Sequence, residues 1–350
     1  MSDLPDLLSM TREELRDFAL SIGEKPYRGD QIFSFLSRGV DYDGMTSLSL
    51  TLREKLKTET EFRLPSVLTK KRSRDGLTEK YLLSLIDGEC VECVLMRHDY
   101  GTSLCISSQV GCRMGCKFCA STLAGKVRDL YPSELLGQII AVGNDSGERI
   151  DKLVMMGIGE PLDNYANTVK FLRILNDKDG IGLGLRNVSL STCGIVPGIE
   201  KLAEEGLPVT LSVSLHAYRD DVRQKIMPVA NKYSLDELLR ACRFYFDKTG
   251  RRVSFEYTLI AGKNDSREDA IGLCRLLKEK MRVTSHVNII PLNRVEETGF
   301  SPPDPASAER FAAILRTEGQ NATVRRSMGA DVDAACGQLR RSLQNQVKEL

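Results

Sequence analysis

Cys105, Cys112, Cys116 and Cys119 fall within one short stretch, CISSQVGCRMGCKFC, and the last three form a C-x-x-x-C-x-x-C. Thiols this dense, in a chain that reads as intracellular, are more often metal ligands than disulfide partners. Iron–sulfur cubanes are held by cysteine thiolates and normally use four. Three ligands leave one iron open, much as a catalytic zinc keeps a vacant position. An open iron can bind a small chelating molecule and pass it an electron. Phe118, between the last two cysteines, would give such a cluster an apolar wall, and Gly111 and Gly115 let the loop wrap tightly. The bland alternative is a four-thiolate zinc site with Cys105 as fourth ligand, but zinc sites usually pair two C-x-x-C knuckles across a longer gap.

The rest of the composition is that of an ordinary soluble globular chain: 350 residues, 41% hydrophobic and 28% charged. That length suits one large domain and a smaller one. No apolar run approaches a membrane span, and the acidic start MSDLPDLLSM does not read as a signal peptide, so a cytoplasmic protein without membrane contact is expected. A net charge of +1 argues against a surface coated for nucleic acid and leaves only local basic patches. These are Lys70, Lys71, Arg72 and Arg74, then Arg325 with Arg326, then Arg340 with Arg341, each by itself more often solvated surface.

The elements that must position the cysteines change along the chain. Residues 1–62 read as a small helical domain, a candidate RNA-binding module with plain packing as the bland alternative, with Leu15, Phe18, Ala19 and Ile22 at helical spacing behind a Thr11–Glu14 capping box. Residues 63–102 read as a β-hairpin extension, with Asp75-Gly76 as a turn signal and a basic tip. There Cys90 and Cys93 lie three apart, hence on opposite strand faces, and read as structural, whereas Glu92 shares a face with Cys90 and Val94. Residues 103–300 alternate short apolar strands with amphipathic helices in six strand–helix units, short of the eight of a closed barrel. Residues 301–350 add a helix, a strand and a loop carrying Cys336.

Polar groups collect at the carboxyl ends of these strands: Gly159-Glu160-Pro161, Ser191-Thr192, Ser214-Leu215-His216 and Asn293, with the cysteine loop after another strand end. In parallel barrels that rim carries the active site. A lone His216 would more often be structural; within this constellation it reads as functional.

Taken in order, TSLCISSQVGCRMGCKFCAS, MGIGEPLDN, LSTCGIVP, SVSLHA, KIMPVANKY, PLN and GADVDAACGQL resemble the dual-specificity RNA methyltransferases of the radical S-adenosylmethionine superfamily. Those enzymes methylate C2 of adenosine in 23S ribosomal RNA and in transfer RNA. The resemblance runs from about residue 10 to 340 and implies an α/β fold, a partial, open, TIM-like (β/α)6 barrel behind a small helical domain. It implies that Cys112, Cys116 and Cys119 hold a 4Fe-4S cluster. It also implies that S-adenosylmethionine, two molecules per turnover, contacts Gly159, Glu160, Ser191, Ser214, Leu215, His216 and Asn293.

C2 of adenine is an electron-poor aromatic carbon, closed to ordinary transfer from a sulfonium, so the cofactor supplies a radical route. By resemblance, Cys336 first accepts a methyl group. A deoxyadenosyl radical then takes a hydrogen from it, and the methylene radical adds to C2. Glu92 falls at the position of the base that removes the C2 proton. Cys105 then attacks the Cys336 sulfur, releasing methylated RNA and leaving a disulfide. Cys193, Cys242 and Cys274 receive no role. The family expectation adds a flavodoxin-type reductant and a monomer, and for an RNA substrate the Lys70 to Arg74 hairpin and Arg325-Arg326 are the candidate phosphate contacts. The rivals are the C8-adenosine methyltransferases of antibiotic resistance, from which Pro161 and Val110 set this chain apart, and a non-catalytic RNA-binding protein with a structural cluster.

Overall fold

The computed structural model describes residues 4–283 and 285–343. Helices α1 (Arg12–Ser21), α2 (Pro26–Leu36) and α3 (Leu50–Glu59) come first, followed by strands β1 (Ser66–Arg72), β2 (Thr78–Ser84), β3 (Glu89–His98) and β4 (Gly101–Cys105). Two short strands, β5 (Gln109–Gly111) and β6 (Lys126–Asp129), bracket the cysteine triplet. The chain then alternates: α4 (Pro132–Ser146), β7 (Lys152–Met155), α5 (Tyr165–Asn176), β8 (Val188–Thr192), α6 (Val196–Glu204) and β9 (Thr210–Ser214). It continues with α7 (Asp220–Ile226), α8 (Leu235–Thr249), β10 (Val253–Leu259), α9 (Arg267–Met281) and β11 (His286–Pro291). Last come α10 (Pro305–Thr317), β12 (Asn321–Val324) and β13 (Ser342–Leu343).

The helix starts follow the chemistry of their first turns. In α1 the Thr11 hydroxyl accepts the Glu14 N–H and the Glu14 carboxylate accepts the Thr11 N–H, so two otherwise orphaned donors are satisfied as expected. Ser234 with Glu237 and Ser266 with Asp269 open α8 and α9 in the same way.

One sheet, ordered β1-β2-β3-β4-β7-β8-β9-β10-β11-β12, carries the molecule, and β13 adds to β3. Its first strands pair antiparallel; from β4 onward the neighbours run parallel, forming the open barrel. The β extension expected at 63–102 is therefore the antiparallel wing of the barrel sheet itself, joined through the Val94↔Cys105 pairing of β3 and β4. Beyond the six expected units, the 301–350 segment contributes β12 as a further parallel strand. The part of that segment past Leu343 lies outside the described residues.

The stretch after Cys105, read from sequence as a loop, contains the antiparallel β5–β6 pair. Gly111 makes that pairing possible. Its φ is +75°, and a Cβ there would lie 1.8 Å from the Gly125 carbonyl oxygen.

The main apolar core runs from Leu7, Leu15 and Ile32 of the helical domain through the strands to Phe311 of α10, with smaller clusters around Cys105 and Phe118. Polar ties reinforce the docking of the helical domain: Ser133 donates to Asp6, and Lys170 pairs with Glu14 at 2.9 Å. The helices are packed onto the barrel. Along β10 the alternation is complete. Phe255 and Tyr257 enter the core under the helices, while Glu256 and Thr258 face the barrel interior.

Candidate active site

At the carboxyl ends of the parallel strands lies a cavity of about 140 Å³, lined on one side by Cys112, Cys116 and Cys119. Opposite them stand residues from the ends of β7, β8, β9, β10 and β11. Gly159, Glu160, Ser191, Ser214, His216 and Asn293 all border it, as their strand-end positions predict. Leu215 does not: its side chain is fully buried in the core, and its carbonyl accepts the Arg223 Nε at 3.0 Å. A strand end exposes alternate side chains, so Ser214 and His216 reach the cavity and the residue between them cannot.

Most of these groups are held by the fold. The Glu160 carboxylate accepts the N–H of Leu162 at 3.0 Å and of Cys193 at 2.6 Å. Gly159, at φ +108°, packs so close to Gln109 that a Cβ would meet its backbone nitrogen at 2.7 Å. His216 also sits at positive φ, +59°, with its Nδ1 accepting the Thr258 N–H at 2.8 Å. Burial pushes the His216 pKa down to about 3, so the imidazole is neutral, and its ring meets Phe118 edge-on at 5.0 Å. The Phe118 wall expected from sequence is thus built jointly with His216.

The cysteine loop is pinned from outside. Asp163 accepts from Gln109 at 2.8 Å and pairs with Lys126 at 2.9 Å and with Arg113 at 2.5 Å, which hold its carboxyl down at about 2 against the cost of burial. Burial pushes the Cys112 thiol up to about 12 and raises Cys116 and Cys119 as well. Among the described residues no three His, Cys, Asp or Glu side chains are arranged to hold a single metal ion, and Cys105 lies outside this cavity. The four-thiolate zinc alternative therefore has no geometric support. Three thiols on one side of a pocket, beside the apolar wall of Phe118, are the kind of ligand set that an iron–sulfur cluster takes.

A second, outer cavity of about 550 Å³ adjoins the first. Cys105 and Cys336 both line it, with Val94 and Met96 of β3 beside them. Cys336 borders the inner cavity too, a position it shares with Met156, Ile290 and Asn293. Asn293 donates its Nδ2 to the Cys336 carbonyl at 3.0 Å, so one predicted cofactor contact also positions the loop that carries the cysteine. Burial pushes the Cys105 thiol up to about 12. All ten cysteines are free thiols, so the Cys105–Cys336 disulfide implied by resemblance is no part of this fold.

Arg325, expected among phosphate contacts, points inward. Its Nη1 lies 3.6 Å from the Cys336 sulfur and 3.4 Å from that of Met156. Nothing in a two-residue basic run marks one arginine as internal; its place just past β12, with its backbone N–H donating to the Ile289 carbonyl at 2.8 Å, does. Several other expected basic residues are ion-paired: Lys70 with Asp145, Arg340 with Glu297 and Arg341 with Glu89. Arg326 remains exposed at the outer cavity.

Glu92 is buried on the β3 face it shares with Val94, and it borders neither cavity. Its carboxylate pairs with Lys80 at 2.7 Å and accepts the Arg340 N–H at 2.9 Å, while burial raises its pKa. Cys90 and Cys93 are buried in the same strand, consistent with structural roles.

An open parallel barrel with a cysteine triplet at its carboxyl rim defines a radical S-adenosylmethionine enzyme, and residues 106–274 match the model of the radical SAM superfamily. Residues 5–62 match the N-terminal domain of the ribosomal RNA large subunit methyltransferase family. Probable dual-specificity RNA methyltransferases RlmN are 48% identical over nearly the full chain. That of Clostridium beijerinckii covers 97% of this chain and 96% of its own length, and that of Clostridioides difficile 96% and 97%. The crystal structure of a radical SAM methyltransferase from Sphaerobacter thermophilus matches with a TM-score of 0.91 at 42% identity, covering 96% of this chain and 99% of that one. The chain belongs to the RlmN family of radical SAM RNA methyltransferases, and membership implies a 4Fe-4S cluster and S-adenosylmethionine.

Proposed function

We propose that this chain methylates C2 of adenosine in 23S ribosomal RNA and in transfer RNA, with Cys336 as the methyl carrier. The observation that carries this reading is the position of Cys336 at the junction of the two cavities. A carrier must meet a methyl donor on one side and an RNA base on the other, and a thiol buried in either cavity alone could not.

Cys112, Cys116 and Cys119 would hold the cluster, and Gly159, Glu160, Ser191, Ser214, His216 and Asn293 would surround S-adenosylmethionine. Together the cluster and S-adenosylmethionine supply the methyl group and the radical initiation. The outer cavity takes the unstacked target adenine, at a cost of about a few kcal/mol where the base starts stacked. Arg325 holds the Cys336 sulfur in place, and Cys105, lining the same cavity, is the resolving thiol. Glu92 is the base: its raised pKa suits proton uptake, and Val94, on the same face of β3, lines the outer cavity. Arg326 and Lys71 are the candidate phosphate contacts. A flavodoxin-type reductant, a monomeric state and a cytoplasmic location complete the reading. No helix among the described residues is long and apolar enough to cross a membrane.

Nucleoside mass spectrometry of ribosomal and transfer RNA tests it, in a host lacking its own enzyme and complemented with wild type or Cys336→Ala. 2-Methyladenosine with wild type alone is the expected result. 8-Methyladenosine would overturn the regiochemistry, and neither product from cluster-loaded protein would leave a non-catalytic RNA-binding role.

A further inference from the structure

The inner cavity has one charged wall residue without an evident function. Glu256 lies in the middle of β10, is 4% exposed, and faces the cavity together with Thr258. The barrel interior around it is polar. Ser189 and Ser212 bond to each other at 2.9 Å, and Asn288 follows on β11. Parallel barrels normally fill this space with Val, Ile and Leu.

The Glu256 carboxylate accepts the Asn288 Nδ2 at 2.8 Å, with the Ser212 and Ser254 hydroxyls also in reach. Among the described residues it has no ion-pair partner. Arg325 is the cation whose field reaches it, but the Arg325 Nη1 is directed at the sulfurs of Cys336 and Met156. The other ionisable groups nearby have partners of their own. Glu160 is held by backbone N–H groups, and Arg223 donates through Nε and Nη2 to the carbonyls of Cys193, Ser214 and Leu215, only its Nη1 being left without a partner among the described residues. His216 is neutral. A buried carboxylate without a counter-ion is costly and suits a site that receives a cation.

We propose that Glu256 is the counter-ion of the sulfonium of S-adenosylmethionine, and that it selects substrate over spent cofactor. The proposal rests on the reading of the inner cavity as the S-adenosylmethionine site. Both uses of that molecule erase its charge. Methyl transfer to the Cys336 sulfur leaves the bonding pair on the departing sulfur, giving the neutral thioether S-adenosylhomocysteine and releasing the thiol proton. Cleavage of the C5′–sulfur bond with one electron from the reductant leaves methionine, again a neutral thioether, and puts the unpaired electron on C5′ of the deoxyadenosyl fragment. In either case the cation facing Glu256 disappears, product affinity falls, and the cavity empties for the second molecule that each turnover requires.

The test measures equilibrium binding of S-adenosylmethionine and of S-adenosylhomocysteine to the anaerobically reconstituted full chain, as wild type, Glu256→Gln and Glu256→Asp. Iron content and cluster absorbance establish that each variant is folded and loaded. Wild type should prefer the sulfonium by about tenfold or more. Glu256→Gln should lose that preference through weaker sulfonium binding with S-adenosylhomocysteine unchanged, and Glu256→Asp should keep part of it. A Glu256→Gln protein with the wild-type preference overturns the proposal. Equal weakening of both ligands also overturns it, since the carboxylate would then serve the shared nucleoside. A loaded wild type that binds neither ligand removes the cavity assignment itself, a different failure from the loss of charge selection.

Discussion

Replacing Glu92 by Gln separates a base from a structural ion pair. The amide keeps the shape and still accepts the Arg340 N–H, but it leaves Lys80 without its anion at 2.7 Å. The two side chains are 14% and 7% exposed, so the pair lies between the surface limit of about 0–1 kcal/mol and the buried limit of about 3–5 kcal/mol for removing one partner. Lys80 also donates to the Asp333 carbonyl at 3.1 Å, which softens the loss. About 2 kcal/mol of destabilisation is expected for Glu92→Gln. Adding Lys80→Met should recover at least about 1 kcal/mol of it, because the buried lone cation is gone. Urea denaturation of wild type, both single variants and the double variant reads the coupling. In single-turnover assays the double variant, though restored in stability, should still accumulate RNA bound covalently through Cys336, since no carboxylate removes the C2 proton. A coupling below about 0.5 kcal/mol would refute the structural argument. Normal turnover by Glu92→Gln would refute the base assignment.

Other expectations follow from the same geometry. Asp163 is held at about 2, below its ordinary value, so its stabilising effect is present above about pH 4 and lost as pH falls toward 2. Asp163→Asn should therefore be less stable than wild type by about 1 kcal/mol at neutral pH, allowing for the solvent around exposed Arg113, and the gap should close on acidification in a pH series of denaturation curves. Gly111→Ala forces a Cβ onto the Gly125 carbonyl at positive φ and should sharply reduce iron incorporation on reconstitution, measured against total protein. Arg325→Met removes the N–H aimed at Cys336 and should slow turnover by at least about tenfold, leaving RNA affinity within about twofold by filter binding. Equal losses in both would return Arg325 to the phosphate-contact role.

Much of the site was legible because its chemistry is local in sequence. Three thiols within one loop, GEP after one strand and S-L-H after another need only the rule that strand ends in a parallel barrel share a rim. The capping box of α1 was likewise readable, since it depends on residues three apart. Reading S-L-H as a unit hides the alternation that turns the side chain of its middle residue, Leu215, into the core.

What the sequence determined by itself was therefore the class of chemistry, the order of strands and helices and the rim that carries the cysteines. Tertiary structure decided which distant groups meet. It set Arg325, just past β12, against Cys336 and Lys80 from β2 against Glu92, and it bound Asp163 to Gln109 and Lys126 on either side of the cysteine triplet. It also placed Cys336 where two cavities join. The physical reason is that charge pairing and cavity shape depend on packing between segments many residues apart, and a one-residue change of strand register would face each of these side chains the other way.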